Sequence, residues 1–480
     1  MQNLQSRTVL VEHTIKNDAK HIVDSWLSYH PKIIGIGMYI WNVDLLSQAI
    51  FLIKKSHPHL YIVVGGPEVS YDVSDELFKI VDYIIPLAGD LSFKRLCQDI
   101  LDNNPPKTKA LPKDHIDLKK LMLPYEFYTD KDIATRKMYV EASRGCVFKC
   151  QFCLSSLDTG IQAFDTRIFL SEIKKLYQRG ARLFKFIDRT FNLDIKQAIA
   201  ILSFFLEEFP EQDYFLHLEV IPDRIPSELK EYILRFKEGV VQFEVGIQTL
   251  DEEVSALIGR PENKTRALGN LNYLRRNTNI HLHVDLLIGL PGATLDIFKE
   301  DLNRLVAIGL QEIQIGILKY LKGTSIIKHA DTHHMIYDSK PPYEIESTMD
   351  VPVEEMSELK RFAKYWERYY NSGNFIRSME LLFQMSNPFC EFFKFSAYAY
   401  THLKKTYGIS LDQYSETLYH YLVSEKHLDQ EQVRKIILKD MLIKPGRKVP
   451  RYLKDYALDI PKVIHRKSHK ALTRQINHSF

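Results

Sequence analysis

The sequence predicts an α/β protein with two successive strand–helix alternations and a helical segment after them. Short apolar runs alternate with helix-period stretches from residue 8 to about 105, and again from 138 to about 319. Pro105-Pro106-Lys107-Thr108-Lys109 and Leu111-Pro112 separate the two alternations, and Pro341-Pro342-Tyr343 closes the second. Such alternation produces parallel sheets covered by helices. The expected layout is a doubly wound sheet over 1–105, a linker over 106–135, a partial (β/α)6 barrel over 136–335 and a helical domain over 336–480.

In the first unit the expected strands are Thr8 to Val11, Ile33 to Ile40, Tyr61 to Val64 and Tyr83 to Pro86. Helices are expected over Ala19 to Tyr29, over Leu45 to Lys55 and from Phe93. With four strands, the first almost at the chain start, this sheet looks short by one strand unit. Ligands of such sheets bind at the strand carboxyl ends, where Gly65 and Gly66 let a ligand approach the backbone. Gly35 and Gly37 lack the third glycine of a dinucleotide fingerprint.

Six strands are expected in the second unit: Met138 to Ala142, Leu183 to Ile187, Tyr214 to Val220, Val240 to Gln248, His281 to Ile288 and Glu312 to Lys319. Helical stretches join them, among them Ile195 to Glu208 and Ile297 to Ile308. In parallel barrels the chemistry sits at the strand carboxyl ends, where Cys146, Asp188, Glu219, Gln248 and Gly289 fall. The final segment has helical apolar spacing over Met356 to Tyr370, Phe375 to Gln384 and Tyr414 to Ser424. From residue 444 to the end, ten Lys or Arg face two Asp; such a tail is read as solvated, or as able to touch an anionic partner.

Composition narrows the class. In 480 residues, 45% hydrophobic and 26% charged content fits a folded globular chain of two or three domains. A net charge of +3 makes no electrostatic demand for nucleic acid, no apolar run is long enough for a membrane span, and Met1 to Gln5 lacks a signal-peptide core. Cys97 and Cys390 are isolated, so no disulfide framework is visible and cytoplasmic residence is expected.

The chemistry is concentrated in Cys146-Val147-Phe148-Lys149-Cys150-Gln151-Phe152-Cys153, directly after the first barrel strand. Three thiolates this close form a soft-ligand loop suited to an iron–sulfur cluster, and with three ligands a cubane keeps one iron open. A zinc site completed by histidine and a redox pair are the other readings of the spacing. His329, His333 and His334 include helical i, i+4 spacing, but they lie beyond the barrel strands and read as a solvated helix.

The triplet, with Arg144-Gly145 before it and Phe152 before its last cysteine, resembles the radical S-adenosylmethionine superfamily over about 136–325. With the sheet in front, the layout resembles the branch carrying a cobalamin-binding domain. The resemblance implies a [4Fe–4S] cluster on Cys146, Cys150 and Cys153 that binds S-adenosylmethionine. It implies Phe152 on the adenine, Asp188 and Arg189 near the methionine amino group, and Glu244 and Gln248 at the ribose or carboxylate. It places Gly289 and Pro291 beside the adenine, and cobalamin over Gly65 and Gly66, where Tyr39-Ile40-Trp41-Asn42 and Gly65-Gly66-Pro67-Glu68 match the branch. Asp188 with Arg189, Glu219, and Glu244 with Gln248 also read as structural polar groups. No Asp-x-His-x-x-Gly occurs, and Gly37 stands where that branch commonly has a small hydroxyl residue.

The implied activity is reductive cleavage of S-adenosylmethionine to a 5′-deoxyadenosyl radical and methyl transfer to an unactivated carbon. Implied partners are a small-molecule or peptide substrate and a one-electron donor such as flavodoxin or ferredoxin. A cobalamin-free radical oxidation or rearrangement, and a non-catalytic iron–sulfur protein, are the alternatives.

Overall fold

The computed structural model describes residues 2–114, 116–157, 160–442, 447–459 and 478. The N-terminal sheet has three parallel strands, β1 (Ile33–Gly37), β2 (Tyr61–Gly65) and β3 (Tyr83–Ile85), in the order β1-β2-β3. Thr8 to Val11 is no strand: Val9 and Leu10 are exposed and no neighbour offers them a hydrogen-bonding edge. The sheet is extended on its other side, where Ile84 N donates to Lys109 O and Leu111 N to Ile84 O, so the expected linker begins as a bridge to β3. The helix Ala19–Leu27, capped by the Asp18 carboxylate, and the helix Val43–Ser56 bury Ile22, Val23, Ile50 and Ile53 against one face. Ser92–Leu101 covers the other through Leu96 and Ile100.

The second sheet holds the expected six strands. β4 (Met138–Val140) is followed by a small hairpin of β5 (Ser143–Arg144) and β6 (Gln162–Ala163) that closes the base of the cysteine loop. Then come β7 (Leu183–Phe186), β8 (Phe215–Glu219), β9 (Val241–Gln248), β10 (His281–Ile288) and β11 (Glu312–Ile317). The order β11-β10-β9-β8-β7-β4, with all pairs parallel, is that of a partial barrel. Side-chain caps from Asp165, Asp194, Asn263 and Thr294 start four of the connecting helices, which fixes where each strand-to-helix turn ends. Among the described residues no helix is long and apolar enough to cross a membrane.

A partial barrel has two unpaired edges, and both are sealed by side chains. On β4, Tyr128 Oη accepts from Tyr139 N at 3.1 Å and donates to Tyr139 O at 3.0 Å, and Tyr125 Oη accepts from Glu141 N at 2.8 Å. The stretch expected as a linker is therefore packed: Ile116, Leu118, Leu123, Tyr125 and Ile133 are buried in the barrel core. On β11, Asn371 Oδ1 accepts from Ile313 N at 2.8 Å and Trp366 Nε1 donates to Ile313 O at 2.9 Å. Replacing Asn371 by Ala leaves the buried Ile313 N–H without a partner, and denaturant unfolding is expected to show a loss of about 1–3 kcal/mol.

Trp366 and Asn371 bracket the end of Val353–Tyr369, the first of the C-terminal helices. Ile376–Phe383, Pro388–Leu403, Leu411–His420 and Gln430–Met441 follow. Pro388–Leu403 was not foreseen, because Phe389, Phe392, Phe393, Phe395 and Tyr398 spread aromatics round the helix and hide its period. These helices share one continuous core with the barrel, while the N-terminal sheet keeps its own. The expected basic tail falls mostly outside the described residues.

The two sheets meet at their carboxyl ends. Beyond β3, Asp90 lies 3.3 Å from Arg144, in β5 just after β4. Beyond β2, buried Glu68 accepts from Tyr343 Oη at 3.2 Å and lies 3.7 Å from Lys322, in the segment following β11. The N-terminal sheet thus straddles both edge strands of the barrel.

Candidate active site

At the carboxyl end of the barrel a cavity of about 150 Å³ is lined by Cys146, Cys150, Cys153, Phe148, Phe152, Arg189, Thr190, Glu219, Glu244, Gly246, Gln248, Arg260 and Asp285. All three cysteines of the loop open on it. The loop is held from three directions. Gln151 N donates to Ile258 O, Gln151 O accepts from Ile326 N, and Gln151 Oε1 faces His329 Nε2 at 2.6 Å. His329 is therefore a buried brace of the cysteine loop, not part of the solvated helix expected; His333 is half-buried and only His334 is exposed.

Asp188 does not line the cavity. Its carboxylate accepts from Ala142 N at 3.0 Å, Ser143 N at 2.5 Å and Ser143 Oγ at 2.6 Å, which pins the end of β4 where the loop departs. Burial raises its pKa to about 6. Arg189 does reach the cavity, 3.8 Å from Glu219. Gly289 and Pro291 turn away from it: Gly289 has φ +85, and a Cβ there would stand 2.5 Å from Ile345 Cγ2, so this turn packs on the C-terminal segment rather than beside the cavity. Gly66, with φ +97, tucks under Met38, whose carbonyl oxygen would lie 2.5 Å from an added Cβ. Gly65 and Gly66 stand at the end of β2, beside Ile85 and Met38, and do not line the barrel cavity.

Sequence reasoning missed Arg260. It lies beyond the strand carrying Glu244, in no motif, and the fold carries it into the cavity wall. Nη1 donates to Cys150 Sγ at 3.4 Å, Nη2 donates to Gly246 O, and the guanidinium lies 4.9 Å above the Phe148 ring. Burial pushes the Cys150 thiol up and the Arg260 charge opposes this. Arg260 Nε is buried without a hydrogen-bond partner, a donor that a ligand's anionic group would satisfy. Among the described residues no three His, Cys, Asp or Glu side chains are gathered closely enough to hold a metal ion. Three thiols on one wall suit a larger cluster.

Below the cavity the barrel interior is polar. His217 Nε2 meets Glu244 Oε2 at 2.5 Å and Lys185 lies 3.4 Å from the same oxygen. Burial works against the Glu244 charge, but His217 and Lys185 hold its pKa at about 2. Glu219, across the cavity, is raised to about 7 by burial and then by the Glu244 charge. Deeper, Glu312 lies 2.7 Å from His281 and 3.3 Å from His283.

The Glu219 shift has a measurable sign. A carboxyl raised from 4.5 to about 7 in the folded state binds more protons folded than unfolded between those values. Its contribution is fully present below pH 4.5 and is lost as pH rises through 7. In ligand-free protein, wild type is expected to lose about 3 kcal/mol more than Glu219→Gln between pH 4.5 and 7.5, measured by denaturant unfolding.

Two family models match the chain. Residues 140–305 match the radical SAM superfamily, and residues 331–478 match a family described as a protein of unknown function, DUF4080. The cobalamin-dependent radical SAM methyltransferase TokK of Streptomyces tokunonensis is 24% identical over 60% of this chain and 47% of its own length. The 2-(S-pantetheinyl)-carbapenam-3-carboxylate methyltransferase of Streptantibioticus cattleyicolor is 22% identical over 60% of this chain and 47% of its own. The chain thus spans about half the length of these curated relatives. The solved structure of the cobalamin-dependent S-adenosylmethionine radical enzyme OxsB, with aqua-cobalamin and S-adenosylmethionine bound, superposes with a TM-score of 0.59 at 13% identity, covering 97% of this chain and 77% of that one. That likeness is one of fold. The six parallel strands, the three-cysteine loop at their carboxyl end and the family match lead to one conclusion: the chain carries a radical SAM domain over residues 140–305.

Proposed function

We propose that the protein is a [4Fe–4S] radical SAM enzyme that transfers a methyl group to an unactivated carbon with cobalamin held by the N-terminal sheet. The observation that carries this reading is the meeting of two carboxyl ends. The three-thiol cavity opens at the barrel mouth, and the loops after β2 and β3 reach the barrel beside both its edges. A relative named as a cobalamin-dependent radical SAM methyltransferase supports it, as does the likeness of fold to a cobalamin-dependent S-adenosylmethionine radical enzyme.

Cys146, Cys150 and Cys153 would hold the cluster, which when loaded supplies the electron that cleaves S-adenosylmethionine to methionine and a 5′-deoxyadenosyl radical. Arg260, with its unpaired Nε, is placed to bind the carboxylate of that ligand. Glu219, Glu244 and Gln248 offer acceptors to its ammonium and hydroxyl groups, and Phe152 offers an apolar wall for the base. Asp188 and Gln151 act one step back, fixing the two flanks of the loop. Gly66 and the exposed, stacked pair Tyr39 and Trp41 line the sheet end where a flat cofactor would lie.

A second reading, cobalamin-free oxidation or rearrangement, is favoured by the three-stranded sheet, which gives a corrin fewer loops. Anaerobic reconstitution with hydroxocobalamin separates the two. Corrin retained after desalting, with methyl transfer from labelled S-adenosylmethionine, is the expected result. Protein that cleaves S-adenosylmethionine but retains no corrin leaves only the second reading.

A further inference from the structure

The proposed reaction consumes one electron for each S-adenosylmethionine cleaved, so a donor must dock close to the cysteine loop. Along that loop burial alternates: Phe148 and Cys150 face inward, and Val147 and Lys149 face out. Val147, bonded to Cys146, is 39% exposed. Gly145 abuts Gly160 and Ile161, with φ +105 and Gly160 O where a Cβ would stand, so exposed Ile161 adjoins the loop. Leu118 N donates to Gln162 Oε1 at 3.1 Å, which sets the turn carrying exposed Lys119 and Lys120 against the same hairpin. The result is a small apolar centre at the cysteines, flanked by Lys119 and Lys120 and by Lys149, whose Nζ donates to Ser156 O at 3.2 Å. Asp117, 3.9 Å from Lys120, offsets part of one charge.

From this juxtaposition we infer that the face formed by Val147, Lys149, Ile161, Lys119 and Lys120 is the docking surface for an acidic one-electron donor protein. The inference rests on the enzymatic reading above. An apolar centre with a cationic rim is the form of a transient electron-transfer contact, small in area and steered by charge. The path is short: the electron would pass from the reduced donor to the cluster that Cys146 helps to hold, and the backbone neighbour of Cys146 is itself surface. With a chain net charge of only +3, the steering must come from a local patch.

The test uses the full chain, an acidic flavodoxin as probe, and two double variants. Lys119→Glu/Lys120→Glu reverses the proposed rim. Lys79→Glu/Lys107→Glu makes the same charge change in the lysine-lined groove at the amino ends of β2 and β3, away from the loop. Flavodoxin affinity is read by titration at low and high salt, and 5′-deoxyadenosine formation is followed with flavodoxin and with dithionite.

For the rim variant, affinity at low salt is expected to fall about tenfold, with the difference shrinking as salt rises. Its flavodoxin-driven rate falls in parallel and its dithionite-driven rate is unchanged, while the groove variant matches wild type throughout. Equal losses in both variants, or none in the rim variant, overturn the docking face. If wild type forms no 5′-deoxyadenosine with dithionite, the enzymatic reading fails first and takes the docking face with it.

Discussion

Cys150→Ala is expected to abolish 5′-deoxyadenosine formation and to strip the brown iron–sulfur absorbance from anaerobically reconstituted protein. Cys150 is the most buried of the three cysteines and the one that Arg260 Nη1 touches, at 3.4 Å. Removing its sulfur removes one of three cluster ligands and one acceptor of Arg260, whose guanidinium keeps Gly246 O and the buried Glu262 carboxylate, 3.9 Å away. Fold and cluster effects separate cleanly, because the loop is braced through Gln151 and Asp188 rather than through Cys150. Circular dichroism and thermal unfolding of the apo variant should match apo wild type. A variant that still forms 5′-deoxyadenosine at the wild-type rate would refute the three-thiol assignment. A non-catalytic iron–sulfur protein would show no product in wild type either.

The second large effect is on stability. Trp366→Ala should cost about 3–5 kcal/mol, read by urea unfolding. The indole is fully buried, stacks 4.5 Å from Tyr370 and 5.6 Å from Phe362, and meets Phe392 edge-on at 4.9 Å. Its loss empties the centre of the C-terminal aromatic core and removes the donor to Ile313 O on β11. Trp366→Phe keeps most of the volume but not the hydrogen bond, so its smaller loss measures the edge contact alone. Equal losses in the two variants would mean that the indole N–H, not the packing, dominates.

All six barrel strands were legible in the sequence because each is a largely apolar run, as a strand buried between helices requires, and most carry glycine or a polar group near the carboxyl end. The helix Ile195–Glu208 was legible to the residue, since Asp194 marks its start. Thr8 to Val11 misled because an apolar run predicts burial only where something exists to bury it. The packed nature of 106–135 was hidden by its prolines, although Tyr125 and Tyr128 do their work through side-chain hydroxyls. The cysteine loop could be read as a motif. Arg260 and His329 could not, as each approaches the loop from far along the chain and belongs to no short pattern. Asp188 was placed at the correct strand end, but a strand end has two sides, and its carboxylate points back to β4. Gly289 was found at its turn, yet which neighbour would fill the space beside it depended on a C-terminal segment whose packing no periodicity reveals.

The tyrosine and tryptophan seals at the two barrel edges have a consequence for how the protein behaves in a crowd. An open run of strands normally invites another chain to add on, the first step of domain exchange and of aggregation. Here the outward amides of Tyr139, Glu141 and Ile313 are already occupied by side chains too short to recruit a further strand. The barrel can therefore stay an open run of six strands without recruiting a further strand at these edge amides.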